Sequence, residues 1–482
     1  MSTDVKEPRI EYSLSLPGVE RNRAAIAGGR AVKAGGIDFL APLASMCCYT
    51  TYDDSNIAIV TRTPTLTLDG QADYNKYLDN AYFEDVTGRT VQGLLGLIYS
   101  KQAKSKFPPE IEYLKENSDG KGTPLRELSK AGCAEAMASD WSGYLTARPS
   151  TPLGSSPKDV ETNNLRPKLL HYKFESIINW NYEIVNNIEK LSLLVLKEAI
   201  TTKVGFKVEV EDQYRVLEII EGVYHQSVYD EDGSLVGKDK DGNLVSKAEP
   251  VIVNGNTSDE IPFFWVKAPL TGNAPIVGLA DANFQQYKLY ADYGGKLHHS
   301  SFVIYTETGA EPGTNMVMGN GVKWTNRNTE AKFAVLQPDG NSDGHRLALQ
   351  DINEKMASQG AEQLRPRASG AESAEAKSLD KVAQNSTTSD IATTVSEAIT
   401  KASDFASKWM GGNGGVVYSL NTDYNPTGIN PQLLATVFAI YQAGNMPADD
   451  FFTFLQRGEL INSAKTIEQY ISETSLAGTG ME

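Results

Sequence analysis

Residues 356–412 constrain this chain more than any other stretch: MASQGAEQLRPRASGAESAEAKSLDKVAQNSTTSDIATTVSEAITKASDFASKWMGG. One helix is predicted to end at Gly360. A short loop follows, carrying Glu362, Arg365, Pro366, Arg367 and Gly370. Ser369 and Glu372 stand at capping-box spacing, which predicts the start of a second helix. Apolar residues then recur at Ala376, Leu379, Val382/Ala383, Ile391, Val395, Ile399, Ala402, Phe405/Ala406 and Trp409, close to a helical period. Between them, residues 385–390 are all Ser, Thr, Asn or Asp, whose side chains compete for backbone hydrogen bonds and predict a kink. Gly411, Gly412, Gly414 and Gly415 end the helix. On pattern alone this is an ordinary surface helix. The other reading is an element built for assembly, because no catalytic constellation accompanies it.

At 482 residues the chain is long enough for two to four folding units. A hydrophobic content of 40% supplies a core and excludes intrinsic disorder. Acidic residues outnumber basic ones, 61 to 45, for a net charge of −16. That balance argues against a sequence-specific DNA binder, which needs a concentrated basic patch. The three cysteines, Cys47, Cys48 and Cys133, are an odd, low count that predicts free thiols in a reduced compartment. The opening MSTDVKEPRI has no apolar segment of the signal-peptide kind. The longest apolar runs, such as LSLLVL, fall far short of the ~20 residues of a membrane span. The expectation is a cytosolic product with no membrane partner, or one entering a particle assembled in the cytoplasm.

Periodicity predicts a mixed α+β chain. Residues 1–80 read as helix plus extended arms. From Tyr74 to Lys101 the period is helical, with Thr87-Gly88 marking a join between two helices. A further helix is expected over 124–138, and PSTPLGSSPKD (149–159) is a loop by composition. Residues 165–268 change to strands, among them LSLLVLKEAI, KVGFKVEVE and YRVLEIIEG. Asp232-Gly233 and Asp241-Gly242 signal hairpin turns. From Pro275 to His298 the helical period returns, with Ile276, Leu279/Ala280, Phe284, Tyr287, Tyr290/Ala291 and Leu297 on one stripe. A β-rich insertion follows, and then a helix from near Asp343 carrying Leu347, Leu349, Ile352 and Met356. Asn430-Pro431 opens a helix that ends at Gly444. ADDFFTFLQ is the last short helix, and the tail from Ala477 frays.

Motifs for chemistry are missing or incomplete. His298-His299 are adjacent, and neighbours on a helix point about 100° apart, so one metal cannot easily take both. Asp239-Lys-Asp241-Gly242-Asn243 lacks the glycine and distal glutamate of a calcium loop and reads as a hairpin turn. Gly294-Gly295-Lys296 lacks the leading glycine of a P-loop and is followed by leucine. Neither G-x-S-x-G nor HExxH occurs. The expectation is a protein that is not an enzyme, with no cofactor and no metal. A soluble intracellular α+β hydrolase using two remote carboxylates stays open as the alternative.

An ordered series of segments adds a resemblance. The segments are AYFEDVTGRTVQGLLGLIYSKQ (81–102), RPKLLHYKFESIINWNYE (166–183), VEDQYRVLEIIEGVYHQSV (210–228), IPFFWV (261–266), PIVGLADANFQQYKLYADYGGKLHHSSFVIYTETG (275–309), GAEQLRPRASGAESAEAKSLD with FASKWMG, and FLQRGELI (454–461). In this order they resemble the portal proteins of tailed bacteriophages, specifically a family of short-tailed phages and prophages. No single motif is specific, and the first 80 residues match less clearly. The resemblance implies a virion protein at one capsid vertex, assembled in the host cytoplasm. It implies a homo-oligomeric ring, a dodecamer, through which double-stranded DNA passes without sequence specificity during packaging and ejection. The implied partners are terminase, the tail adaptor, the major capsid protein and the scaffold. A wall of net acidic charge lets DNA slide rather than stick.

The implied architecture is a wing over 1–275, stem helices over 276–298 and 341–359, and a clip over 299–340. A channel loop and long kinked wing helix occupy 360–412, and a helical crown occupies 413–482. Glu362, Arg365 and Arg367 would then face DNA, or the arginines would form intersubunit salt bridges. Lys323, Trp324 and Arg327 would lie at a clip interface, or Trp324 in the clip core. A phage structural protein that forms no ring is a further alternative.

Overall fold

The fold is seen in a computed structural model. It describes residues 4–43, 46–52, 58–66, 68–147, 165–236, 249–253, 256–267, 273–300, 304–309, 330, 332–336, 342–359, 374–422, 424, 431–457, 460–461, 465 and 467–478. The described residues form a mixture of helix and sheet, which fits the α+β class.

Helices α1 (Ile10–Ala27) and α2 (Gly29–Ala34) precede an antiparallel pair, β1 (Cys47–Tyr52) and β2 (Ala58–Leu66), and then α3 (Leu68–Asn80) and α4 (Val86–Ile98). Next come β3 (Lys104–Lys106), α5 (Leu125–Ala138), β4 (Ser142–Ala147) and β5 (Lys168–Tyr172). The β-rich stretch continues through β6 (Ile177–Val185), β7 (Ile188–Val204), β8 (Lys207–Ile220) and β9 (Val223–Tyr229). It ends in the short β10 (Glu249–Pro250), β11 (Ile252–Val253) and β12 (Asn256–Thr257), and in β13 (Phe263–Lys267). Then follow α6 (Val277–Ser300), β14 (Ile304–Thr308), β15 (Lys332–Leu336), α7 (Asp343–Ser358) and α8 (Ala374–Trp409). The C-terminal part holds β16 (Val417–Ser419), α9 (Pro431–Gln442), α10 (Ala448–Arg457) and α11 (Ile467–Gly478). The chain divides into two compact units. One comprises residues 1–23, 90–277 and 368–482, and the other comprises 24–89 and 278–367.

The first unit is built on two antiparallel sheets, one of five strands in the order β10-β9-β8-β7-β6 and one of three in the order β13-β4-β5. Run-on apolar residues in β7 follow from burial on both faces of the five-stranded sheet. Leu194, Leu196, Leu217, Trp180 and Tyr224 fill a core with Trp141, Phe174 and Phe263. The alternate residues Val195, Val216, Ile178 and Tyr214 form a second cluster with Val5, Tyr12 and Tyr229. Hairpin turns set the register. Asn186-Asn187 and Glu221-Gly222 have two positive φ angles each, the type I′ signature. At the other end of the sheet only Gly205 has positive φ in the Gly205-Phe206 turn, the type II′ signature.

Helix α8 lies across the three-stranded sheet. Ile391, Ala392, Val395, Ala398, Ile399, Ala402 and Ala406 are buried, as are the small polar residues Ser396, Ser403 and Ser407. Small side chains let the helix approach closely. Thr146 Oγ1 donates to the Ala402 carbonyl (2.9 Å), and Phe264 packs on Phe405. The helix ends in a Schellman motif. Gly411 has φ +85° and donates to the Lys408 carbonyl, while Gly412 N–H donates to the Ser407 carbonyl (2.9 Å).

In the second unit α6 supplies Ala280, Phe284, Tyr287 and Ala291, at four- and three-residue spacing, to a core with Leu40, Tyr74, Tyr77 and Phe83. Its stripe stops there, because Leu297 is exposed rather than buried as its position on the stripe predicts.

Several elements differ from the sequence reading. Residues 10–27 form one helix despite Pro17, and its Tyr12, Leu16 and Val19 pack on the five-stranded core. KVGFKVEVE is not one strand, since Gly205-Phe206 turns the chain inside it. The join between α3 and α4 falls at 81–85, with Thr87-Gly88 inside α4. A further helix, α11, follows the one read as last. Helix α8 is continuous through residues 385–390. There the hydroxyls of Thr393 and Thr394 donate back to the carbonyls of Ser389 and Asp390, at 2.8 Å each. Such bonds bend a helix without breaking it. The 149–159 loop, the Asp241-Gly242 turn and the Ser369/Glu372 box lie outside the described residues.

Candidate functional site

Helices α6 and α7 run antiparallel in one register. Gly278 lies against Gln359, Gln286 Nε2 donates to Asn353 Oδ1 (2.7 Å), and Tyr293 stacks on His345. The residue numbers of these three pairs sum to a nearly constant value, as antiparallel helices of equal rise require. A buried polar layer holds the base of the pair. Asn283 Oδ1 accepts from the backbone N–H and hydroxyl of Thr87, and its Nδ2 donates to the Glu84 carbonyl (2.9 Å). Gln286 also donates to the Glu84 carboxylate (2.8 Å). The layer satisfies its own donors and acceptors, which fixes the pairing of the two helices more narrowly than apolar packing does. Two polar residues on the buried side of α6 had no counterpart in the apolar periodicity, so sequence reasoning missed them.

At the other end of the pair, α6 leads into β14 and α7 follows β15. These two strands pair antiparallel from Ile304↔Leu336 to Thr308↔Lys332. Phe333, Val335, Leu297 and Leu347 are exposed there. Lys323, Trp324 and Arg327 belong to the segment between β14 and β15 and lie outside the described residues. So do Glu362, Arg365 and Arg367, in the segment between α7 and α8.

Elsewhere, among the described residues, two buried titratable clusters are ion-paired. Arg23 bridges two carboxylates, donating to Glu135 (2.7 Å) and to Glu175. Glu135 is almost fully buried and also accepts from the Phe174 N–H (3.1 Å). Burial raises its pKa, but Arg23 and these hydrogen bonds win and hold the carboxyl below its usual range. Glu198 is engaged in the same way, by Arg215, Gln213 and Tyr172. Burial pushes the Cys133 thiol up to about 12, the opposite of an activated nucleophile. Among the described residues no group of three His, Cys, Asp or Glu side chains is placed to hold a metal ion. Among them, no helix is long and apolar enough to cross a membrane.

A family model described as a domain of unknown function (DUF4055) matches residues 275–410, from the start of α6 to the end of α8. That family is often found in phage proteins. No curated protein matches the chain.

Proposed function

We propose that this chain is a phage portal protein, a structural virion component whose copies close into a ring, a dodecamer, around a DNA channel. The observation that carries the reading is the antiparallel pair α6 and α7 with a β-hairpin between them, exposing Leu297, Leu347, Phe333 and Val335. A lone chain leaves these side chains in water, whereas a ring of copies covers such positions. The ordered resemblance across 80–461 supports the reading, and so does the match of 275–410 to a family often found in phage proteins. In the proposed ring, α6 and α7 form the stem, residues 299–340 the clip, and 413–482 the crown. Terminase and later the tail adaptor dock on the assembled ring, which sits at one vertex of the capsid.

Residues 360–373 connect α7 to α8 and form the channel loop of the proposal. Arg365 and Arg367 touch passing phosphates weakly, and Glu362 limits adhesion. The test is the double variant Arg365→Glu with Arg367→Glu. Rings are expected to form as in the parent, with genome packaging or DNA retention impaired. Normal packaging by that variant contradicts the channel role.

A further inference from the structure

The β7–β8 hairpin outgrows its sheet. Strand β6 pairs with β7 only over 188–196, and β9 pairs with β8 only over 214–220. Beyond that, residues 197–204 pair with 207–214, from Lys197↔Tyr214 to Val204↔Lys207, and only Tyr214 among them also pairs with β9. Among the described residues no strand pairs with either outer edge of this ribbon. The two-residue turn closes on Val204 and Lys207, so alternation leaves the backbone groups of 199, 201 and 203 facing outward on one edge. Those of 208, 210 and 212 face outward on the other. An open ribbon edge is a template for another strand.

Its side chains are not those of a solvated ribbon. Phe206, in the turn, is fully exposed, Val204, Val208 and Val210 are more than half exposed, and Ile200 is exposed as well. The two arms differ in charge. The β7 arm has two lysines, Lys197 and Lys203, against Glu198. The β8 arm has Glu209, Glu211 and Asp212 against Lys207. Pairing β8 with a second β8 sets two acidic arms together, while pairing β7 with β8 sets a net basic arm on a net acidic one.

We infer that the distal β7–β8 ribbon is a docking surface for a second copy of this chain. The β7 edge of one copy meets the β8 edge of the next, and the continued sheet shields Ile200 and Val204 on one face and Val208 and Val210 on the other with neighbouring side chains. Such contacts are head-to-tail, so they close into a ring or extend rather than stop at a two-fold dimer. The inference rests on the ring reading for the presence of neighbouring copies, and it adds the element that joins them.

Two variants of the full chain test it. One replaces residues 199–212 with Asn-Gly, which keeps the Glu198↔Gln213 pair and supplies a two-residue turn. The other, Phe206→Ser with Val208→Thr and Val210→Thr, changes only exposed side chains, so it remains informative if the deletion fails to fold. Sedimentation across a concentration series is the readout, with hydrogen exchange of the outward amides in the assembled parent. Both variants are expected to keep the parent's circular dichroism and to need at least about tenfold more protein to assemble. The outward amides are expected to gain protection on assembly. Variants that assemble like the parent, with those amides unprotected, overturn the docking surface and leave the ring reading standing. A two-fold dimer lost in both variants overturns the head-to-tail pairing and the ring reading. A parent that stays monomeric throughout overturns both.

Discussion

His171 sits on β5 with its ring near Tyr144, and its Nε2 is buried with no hydrogen-bond partner among the described residues. Burial lowers its pKa to about 4, against an ordinary value of 6.5, outweighing the opposing pull of Glu135. The sign follows from linkage. Between those two values the unfolded chain takes up the proton first, so stability falls as pH drops from about 6.5 to about 4. The loss is on the order of 3 kcal/mol over the full window. Urea unfolding at stepped pH is expected to show this slope in the parent and to lose it in His171→Phe. An unchanged slope in the variant contradicts the assignment. Glu135 acts at lower pH. Its folded pKa is depressed, so its contribution is complete above the ordinary carboxylate pKa and is lost as pH falls through the folded value. Neither environment was legible in the sequence. His171 stood as a scattered histidine, and the partnership of Arg23 with Glu135 and Glu175 spans more than a hundred residues of chain.

Helix α8 shows what periodicity reads and what it misses. Ile391, Val395, Ile399, Ala402 and Trp409 are buried where a 3.6-residue period put them. Its serines give the opposite lesson. Ser396, Ser403 and Ser407 were not among the apolar periodic positions, yet they are buried, because small polar side chains can turn inward when a partner or close packing receives them. Ser407 donates to Glu110 (2.7 Å), and Ser396 Oγ accepts from the Leu420 N–H (3.0 Å). The end of the helix was legible, since glycine at 411 takes the left-handed conformation that a Schellman cap requires. Gly411→Ala is therefore expected to cost about 1 kcal/mol, with the thermal midpoint as the readout. An alanine variant as stable as the parent contradicts the cap. Two elements escaped for specific reasons. Pro17-Gly18 masked α1, whose helix tolerates the proline while burying Val19. In KVGFKVEVE the alternation hid a Gly-X turn, although Gly205 before Phe206 is a type II′ signal in its own right.

At the scale of the molecule, the α+β class and the order helix, β-hairpin, helix across 277–358 were legible, because long periodic segments bounded by turns carry the strongest local signal. The division into two units was not, since residues 24–89 join 278–367 across almost two hundred intervening residues. The six residues proposed for the channel loop and clip came from the sequence and lie outside the described residues. The function proposed here is therefore a property of many copies, carried by exposed apolar positions and an unaccompanied hairpin rather than by a reactive group. Negative-stain electron microscopy of the purified full chain shows whether copies assemble in this way. Rings with a central hole and near twelve-fold symmetry are expected. A compact monomer or dimer at every concentration tried would contradict that assembly.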